Sequence, residues 1–375
     1  MVLGGKVTKT GWGEVVFNGA VSGVATPTAE SDGTDPRWLT VTEGGATFDG
    51  AVQGVRLVTC GSIVTSDPPV ITLKENCTVS NYAMVLTAWN EGSAACRGET
   101  HQEGATVDYS TTIFNSLINN NENWGLTNPR SGGYGRYVLD SGTFRASNTY
   151  YMSFAWNYST LGSFEFIQNG GTFILPKNFS FARRLDGVYF TYTLNGGRFE
   201  FGGYLAGVLD PVRNVVNLNG GTYVANGSDN IKRESFTLTT NGKVTFEVAS
   251  GKSLTIANDG TDAVSFVKTG DGSLSLDGVL DIAGLDVQGG TVTLTDKVLP
   301  ALDGTADLSI AKEATLNLGY DGQATFKTLH VGGLERGAGV YSASQGPKAV
   351  KDCLSGSGAL RILKGSDPGM TIIIR

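Results

Sequence analysis

Few residues of this sequence could carry out chemistry, and they are scattered along the chain. The two histidines, His101 and His330, do not lie between glycines, and no two aspartates are adjacent. Enzymes that cleave glycosidic bonds need paired carboxylates, which could still meet in space from distant parts of the chain. The sequence therefore predicts no catalytic residue and no cofactor site.

Acidic residues recur in short glycine-containing turns. Asp32 and Asp35 lie in SDGTD, Asp259 and Asp262 lie in NDGTD, and LDGTAD spans 302–307. Such oxygen-rich turns could hold calcium. Asp-Gly is also a favoured tight turn, and the serial GGxGxD motif of calcium-binding repeats is absent. The turn interpretation is favoured, and no metal site is predicted.

The four cysteines are Cys60, Cys77, Cys96 and Cys353. None lies in a CxxC pair, and two histidines are too few for typical zinc ligand sets. The cluster of Cys60, Cys77 and Cys96 permits a disulfide among its members, with the connectivity open. The alternative is that all are buried free thiols.

Aromatic residues concentrate in the middle of the chain. Tyr150, Tyr151, Trp156 and Tyr158 could stack against sugar rings and form a glycan contact. The competing interpretation is that the rings, the phenylalanines above all, fill a wide core.

The composition narrows the class of protein. Glycine supplies 53 of 375 residues, and the net charge is −7. Without a basic block, neither nucleic acid nor an anionic membrane surface is an expected partner. Since no apolar run reaches about 18 residues, no transmembrane helix is predicted. The N-terminus does not read as a signal peptide, which leaves the export route open.

The residues discussed so far belong to a chain that is built from a repeated segment. From Thr143, the residue after each glycine turn recurs at steps of 29, 26, 24, 21, 30, 18 and 24 residues. Each segment combines a Gly- or Asn-containing turn with a short strand of alternating apolar and polar residues. The segments are DSGTFRA (140–146), NGGTFIL (169–175), NGGRFEF (195–201), NGGTYVA (219–225), NGKVTFEV (241–248), GDGSLSL (270–276), QGGTVTL (288–294), KEATLNL (312–318) and GSGALRI (356–362).

The repeat predicts an all-β fold, a right-handed parallel β-helix (β-solenoid) with coils of about 18–30 residues. One strand face is apolar, and stacking of coils buries it in a continuous core. We expect a single continuous solenoid over 1–364. Its parts are less regular N-terminal coils at 1–133, Asn-Gly-Gly-type coils at 134–250 and a third group of coils at 251–364, before a strand or cap at 365–375.

One phrase occurs twice, as VTKTGWGEVVFNG at 7–19 and as VKTGDGSLSLDG at 267–278, where GGTVTL follows at 289–294. This pattern resembles the bacterial autotransporter-associated β-strand repeat, most closely over 266–294, fairly over 7–19 and more loosely over 140–248. The resemblance implies that the coils at 251–364 are autotransporter-like. About half of the chain shares the pattern. The resemblance implies a passenger-type β-helix that is secreted or exposed at the bacterial surface, and it implies no catalytic residues.

The chain ends in MTIIIR, an apolar β-branched segment. Ile372, Ile373 and Ile374 could form a final edge strand or add to the sheet of a neighbouring subunit, which would join subunits end to end. The sequence therefore predicts a non-enzymatic extracellular or cell-surface structural solenoid, acting as stalk, adhesin or filament subunit. Self-association and a glycan or host-surface ligand are the expected partners. The alternative is a carbohydrate-binding or polysaccharide-cleaving β-helix protein.

Overall fold

The computed structural model describes residues 1–23, 38–62, 67–80, 84–88, 95–108, 125–127, 133–145, 152–155, 163–175, 179–182, 189–202, 214–227, 229–231, 237–240, 242–257 and 263–365. These residues form two compact units. The N-terminal unit is Met1–Asn217 with Glu234–Thr237, and the C-terminal unit is Leu218–Arg233 with Leu238–Arg375. The single continuous solenoid over 1–364 stays a prediction.

The strands up to residue 218 are β1 (Val2–Leu3), β2 (Val7–Lys9), β3 (Glu14–Phe17), β4 (Val21–Gly23), β5 (Trp38–Val41), β6 (Gly45–Phe48), β7 (Val52–Gln53), β8 (Arg56–Thr59), β9 (Val70–Leu73), β10 (Thr78–Ser80), β11 (Met84–Leu86), β12 (Arg97–Asp108), β13 (Gly125–Thr127), β14 (Tyr134–Arg145), β15 (Met152–Ala155), β16 (Ser163–Gln168), β17 (Thr172–Leu175), β18 (Phe179–Ala182), β19 (Tyr189–Leu194), β20 (Arg198–Phe201) and β21 (Asn214–Leu218).

The remaining strands are β22 (Thr222–Ala225), β23 (Asp229–Ile231), β24 (Thr237–Thr240), β25 (Gly242–Val248), β26 (Ser253–Ile256), β27 (Val264–Thr269), β28 (Ser273–Leu276), β29 (Ile282–Val287), β30 (Thr291–Thr295), β31 (Asp307–Ile310), β32 (Thr315–Gly319), β33 (Gln323–Phe326), β34 (Thr328–Val331), β35 (Leu334–Glu335), β36 (Gly339–Tyr341), β37 (Leu354–Gly356) and β38 (Ala359–Ile362). The described helices are a 3-10 turn at Leu299–Ala301 and α1 at Lys348–Lys351. The prediction of an all-β chain is confirmed.

In the N-terminal unit, strands from successive repeats pair in parallel and in register. One row of paired residues crosses seven strands, from β3 to β19. Its side chains point to one face of the sheet, and those of the row beside it point to the opposite face. The first row is Glu14, Gly45, Val70, Glu99, Arg136, Glu165 and Thr191. The row beside it is Val15, Ala46, Ile71, Thr100, Tyr137, Phe166 and Tyr192, and it is buried from Ala46 onward.

The inward rows of this unit build an aromatic core. Tyr137 stacks on Phe166 with ring centroids 5.0 Å apart and planes 2° from parallel. Phe166 stacks on Phe173 at 4.5 Å, and Phe173 on Phe199 at 5.3 Å. Because these rings are at most 1% exposed, and Phe144 and Phe164 are not exposed at all, the core interpretation is confirmed for Phe144, Phe164, Phe166 and Phe173.

The C-terminal unit repeats this arrangement with aliphatic residues. β25, β27, β29, β31 and β34 pair in parallel, and the matched residues of one inward row are no more than 2% exposed. That row is Val244, Phe266, Leu285, Leu308 and Leu329. A second parallel sheet joins β23, β26, β28, β30, β32 and β37. Near the end of the described chain the pattern changes, because β34–β35 and β36–β38 pair antiparallel.

Backbone contact between neighbouring turns explains the repeated Gly-Gly. Gly171 and Gly197 adopt φ values of +65° and +76°, which glycine tolerates best. A Cβ on Gly197 would lie 2.4 Å from the carbonyl oxygen of Gly171 in the preceding turn. The asparagine before the glycines links the same turns: Asn195 Nδ2 donates to Asn169 Oδ1 at 2.9 Å, and Asn169 Nδ2 donates to Asp140 Oδ1 at 2.8 Å.

Candidate functional site

The residues predicted from sequence to contact glycans or other subunits lie outside the described part of the chain. They are Tyr150, Tyr151, Trp156, Tyr158, Ile372, Ile373 and Ile374. Their roles stay predictions. The acidic turns at Asp32/Asp35 and Asp259/Asp262 also lie outside it, whereas Asp303 is described. Asp303 Oδ1 accepts hydrogen bonds from the Thr305 backbone N–H at 3.0 Å and hydroxyl at 2.7 Å, and these bonds lower the pKa of Asp303.

The predicted disulfide residues are described, and they differ in environment. All are free thiols here, Cys77 and Cys96 are buried, and Cys60 is half-buried. The interaction with Cys96 lowers the pKa of the Cys60 thiol, and the interaction with Cys60 raises that of the Cys96 thiol. Burial raises the pKa of the Cys77 thiol to about 12. The disulfide stays a prediction.

The Lys-Thr-Gly phrase that occurs twice in the sequence has one local role. Lys268 is the last inward-facing residue of β27, and its ammonium donates to the carbonyl oxygens of Thr269 and Gly270 at 2.7 Å each and of Gly289 at 3.1 Å. Burial lowers the pKa of Lys268 to about 8, so at neutral pH it is still protonated and has one N–H for each carbonyl.

Lys9 makes the same kind of contact in the N-terminal unit. Its Nζ donates to the carbonyl oxygens of Gly11 and Gly13 in its own turn, and to that of Glu43 in the next turn at 2.8 Å. In both copies of the phrase, the lysine reaches the carbonyl just before a glycine with positive φ, Gly44 or Gly290. The phrase therefore recurs because its lysine ties one turn to the next.

Buried glutamines take this role in the intervening repeats. Gln168 Nε2 donates to the carbonyl oxygens of Gly171 at 3.2 Å and Arg198 at 3.1 Å, and Gln168 Oε1 accepts from the Tyr192 hydroxyl at 2.8 Å. Gln102 and Tyr137 form a matching pair, with the hydroxyl again 2.8 Å from the amide oxygen. Each glutamine is thus fixed by the tyrosine of the following repeat.

Sequence reasoning missed these polar side chains. The available signal was a lysine or glutamine at an inward position of the alternation, directly before a glycine turn, as in THQEG, FIQNGG and FVKTGDG. Such a residue breaks the apolar pattern, and burial is tolerated only because every donor finds an acceptor.

Replacing Lys268 tests this role. Lys268→Met removes all three hydrogen bonds and leaves buried carbonyls without that donor, so we expect the free energy of unfolding to fall by about 2–4 kcal/mol. Lys268→Gln keeps two N–H donors, as Gln168 does, and should lose about half as much. Urea unfolding measures both. Equal losses for the two variants would contradict the hydrogen-bonding role.

A groove crosses the outward face of the C-terminal unit and is the candidate ligand site. Its volume is about 490 Å³, within the usual range of ligand pockets. It is lined by Lys243, Ser265, Phe266, Val267, Gly284, Leu285, Asp286, Asp307, Leu308, Ser309, Thr328 and His330. We call it the outer groove.

The outer groove follows from strand register. One row across β25, β27, β29, β31 and β34 reads Lys243, Ser265, Gly284, Asp307 and Thr328. Gly284 leaves a gap in the middle of this row, since the position carries no side chain. A Cβ there would lie 3.2 Å from Ser265 Oγ. The sequence did not reveal the groove, because its polar residues come from different repeats.

Both carboxylates of the outer groove are held by neighbours. Asp307 Oδ1 accepts from the Thr328 hydroxyl at 2.7 Å, and its Oδ2 lies 3.5 Å from Lys327 Nζ. Asp286 Oδ2 accepts from Gln288 Nε2 at 2.7 Å. These bonds orient acceptor oxygens along the groove, an arrangement suited to binding hydroxyl groups.

No protein-family model, curated protein or solved structure significantly matches this chain. The autotransporter resemblance therefore stays a prediction. Among the described residues, no group of three or more His, Cys, Asp or Glu side chains is placed to bind a metal ion. In that same part of the chain, no helix has the length and apolar character needed to cross a membrane.

The remaining histidine lies in the N-terminal unit, on the outward face. His101 Nε2 is 3.2 Å from Glu99 Oε2, and Arg136 contacts both Glu99 at 3.4 Å and Glu165 at 3.2 Å. The bond from His101 and the charge of Arg136 lower the pKa of Glu99. The structure thus places His101 and His330 on outward faces of separate units, each beside acidic residues.

Proposed function

We propose that the chain is a right-handed parallel β-helix that works as a non-enzymatic structural element, a stalk, adhesin or filament subunit, outside the cell or on a bacterial surface. The observation that carries the proposal is the continuous in-register pairing, in which one inward row crosses seven strands. Such a ladder resists extension, because each coil is bonded to its neighbours along its length.

The turn contacts support a mechanical role. Lysine and glutamine side chains bond backbone carbonyls of adjacent turns, and asparagines link the turns on the outside. These bonds join coils where the chain changes direction and no strand ladder is present. The resemblance to autotransporter repeats adds support for an exported, surface-exposed location.

Single-molecule force spectroscopy tests the structural proposal. Pulling on the two ends should release the chain in repeated steps, each freeing one coil of about 18–30 residues, or about 60–110 Å of extended chain. Release of the whole chain at once, or extension without resistance, would overturn the mechanical role. Antibody labelling of intact and permeabilised source cells tests the location, and labelling only after permeabilisation would count against it.

Self-association end to end is one form of this role. The first strands expose apolar side chains, with Val2, Trp12 and Val16 at 66%, 59% and 53% exposure. Electron microscopy over a concentration series, with and without residues 365–375, tests the assembly. Rods from the intact chain alone would support assembly through Ile372–Ile374, and single particles from both would remove the filament form.

The outer groove favours a second candidate function, the binding of carbohydrate. Its outward side chains repeat at the strand spacing of about 4.8 Å, which suits an extended oligosaccharide. Because Asp286 and Asp307 both lie in the groove, a neutral glycan is a better ligand than an acidic one.

Filling the gap at Gly284 tests this candidate. We expect the protein to bind members of a neutral-glycan array, and Gly284→Trp to weaken that binding by at least about tenfold by occupying the groove. The matched control is Ser275→Trp, on the outward face of the other sheet, which should bind like the unaltered chain. Equal binding by Gly284→Trp, or no binding by any form, would dismiss the groove as a glycan site.

A further inference from the structure

Three strands at the start of the N-terminal unit are paired on one side only. Among the described pairings, β1 pairs with β4, β2 with β5 and β3 with β6, and none of the three pairs with a second strand. We call residues 1–20, which contain β1, β2 and β3, the first repeat. Its strands present unpaired edges, and such edges can pair with strands of another chain.

The backbone of β3 shows which groups lie on its unpaired edge. The carbonyl oxygens of Gly13 and Phe17 accept hydrogen bonds at 3.4 and 2.9 Å from the backbone of β6 and of the residue after it. Successive residues of a strand direct their N–H and C=O groups to opposite sides. Glu14 and Val16, at the alternate positions, therefore direct their backbone groups toward the unpaired edge.

The apolar core is also open at the first repeat. Val7 and Val15 begin two inward rows, and they are 39% and 38% exposed. Their register partners on the following strands are at most 1% exposed, namely Leu39, Leu57 and Val85 after Val7, and Ala46 and Ile71 after Val15. The first repeat therefore leaves in water the kind of apolar surface that the following strands bury.

Exposed apolar side chains concentrate in this one region. Of the ten large apolar side chains that are exposed in the described part of the chain, six lie in the first repeat: Met1, Val2, Val7, Trp12, Val15 and Val16. Single exposed apolar residues are ordinary, whereas a group of them marks a surface that another molecule covers. Together with the unpaired edges, this group is suited to receive another β-strand.

The charges of the first repeat favour a second copy of this chain as the partner. The chain has a net charge of −7, so two copies repel each other in general. The first repeat instead carries two lysines and one glutamate, Lys6, Lys9 and Glu14. Because the Lys9 ammonium already donates to carbonyl oxygens, one exposed lysine and one exposed glutamate remain. Such a surface is complementary to itself in charge.

Two strands near the end of the described chain are unsuited to receive the first repeat. β34 lies between β31 and β35, and β38 lies between β33 and β36, so both edges of each strand are occupied. β35 and β36 run antiparallel to the strands that they cover, which ends the parallel ladder there. The first repeat of a second copy is therefore the better partner.

We propose that the first repeat docks on the first repeat of a second copy, with the two chains related by a two-fold axis. β3 pairs with β3 of the second copy through the backbone groups of Glu14 and Val16, and the two open cores meet. The paired strands run antiparallel, because both cores must lie on the same side of the joined sheet. A contact that uses the same surface on both chains closes after two of them, so the product is a dimer. The inference rests on the self-association proposed above and fixes its geometry.

Light scattering after size-exclusion chromatography tests the dimer. As concentration rises, the intact protein should change from 39.3 kDa to twice that mass, with no larger species. Val16→Asp places a charge in the contact and should raise the concentration at which half of the chains are paired by at least about thirtyfold. Leu334→Asp is the matched control, because Leu334 on β35 has the same 53% exposure as Val16. It should pair like the unaltered chain.

Two further variants test the geometry. Val16→Pro removes an N–H group from the unpaired edge only and should weaken pairing as Val16→Asp does, while circular dichroism checks that both fold. With Val16→Cys, a short bismaleimide should link the new thiol to the same position of the second copy, since a two-fold axis brings a residue close to itself. Mass spectrometry identifies the linked residues.

The results separate this inference from the self-association on which it rests. Removal of residues 365–375 should leave the dimer intact. Pairing that is lost on this removal, or that Val16→Asp leaves unchanged, would overturn the two-fold contact and leave self-association standing. Single chains at every concentration would overturn both.

Discussion

Gly197→Ala is expected to lower the free energy of unfolding by about 2–5 kcal/mol, from the left-handed backbone and from steric overlap together. Gly197 has φ +76°, and a Cβ would lie 2.4 Å from the Gly171 carbonyl oxygen. That oxygen accepts the Arg198 N–H at 2.8 Å, so it cannot move away without loosening the bond between turns. Urea unfolding followed by circular dichroism gives the value.

Gly251→Ala is the matched control. Gly251 has nearly the same φ, +71°, but no heavy atom lies within 4 Å of the position of its Cβ. Its cost should therefore be that of the backbone conformation alone, about 1–2 kcal/mol. If Gly251→Ala lowered the free energy of unfolding as much as Gly197→Ala, close approach of the backbones of neighbouring turns would not be the reason for glycine at these positions.

The second large effect is expected at the buried Gln168. Gln168→Leu removes the acceptor of the Tyr192 hydroxyl and a donor to the Arg198 carbonyl, so we expect a loss of about 2–4 kcal/mol. Tyr192 is fully buried, and this burial raises the pKa of its hydroxyl. The exposed Gln288→Leu should cost at most about 0.5 kcal/mol by comparison.

A double-mutant cycle isolates the pair. Tyr192→Phe alone leaves the Gln168 amide oxygen without this donor, and the double variant removes both polar groups. The double loss should therefore be smaller than the sum of the single losses by about 1 kcal/mol or more. Additive losses would mean that the glutamine and the tyrosine act independently, which would contradict the proposed link between repeats.

The sequence predicted the strands and their inward residues well. Alternation at Val244 and Phe246, and at Leu274 and Leu276, corresponds to side chains with no exposure. The prediction succeeds because the alternation of apolar and polar residues and the glycine turns are local properties of the sequence, and both occur in each repeat. The turn at Asp303 could be recognised from sequence for the same reason, because Asp303 accepts its hydrogen bond from Thr305, only two residues along the chain.

Other features depend on contacts between repeats, and no single repeat contains them. The alternation places Lys268 at an inward position, but its acceptor on the next turn, the carbonyl of Gly289, lies 21 residues away and cannot be identified from one repeat. The outer groove needs Gly284 to fall in register between Ser265 and Asp307.

The account rests on parallel, in-register stacking of repeats, and cysteine pairs test it most directly. Ser275 and Thr293 are register partners on β28 and β30, so their Cα atoms should lie about 5 Å apart, within reach of a disulfide. Ser275 and Thr291 are offset by two residues, about 8 Å apart and too far to bridge. We predict that oxidation links Ser275→Cys to Thr293→Cys and leaves Ser275→Cys with Thr291→Cys unlinked, as mapped by mass spectrometry. The reverse pattern would contradict the stacked-repeat structure.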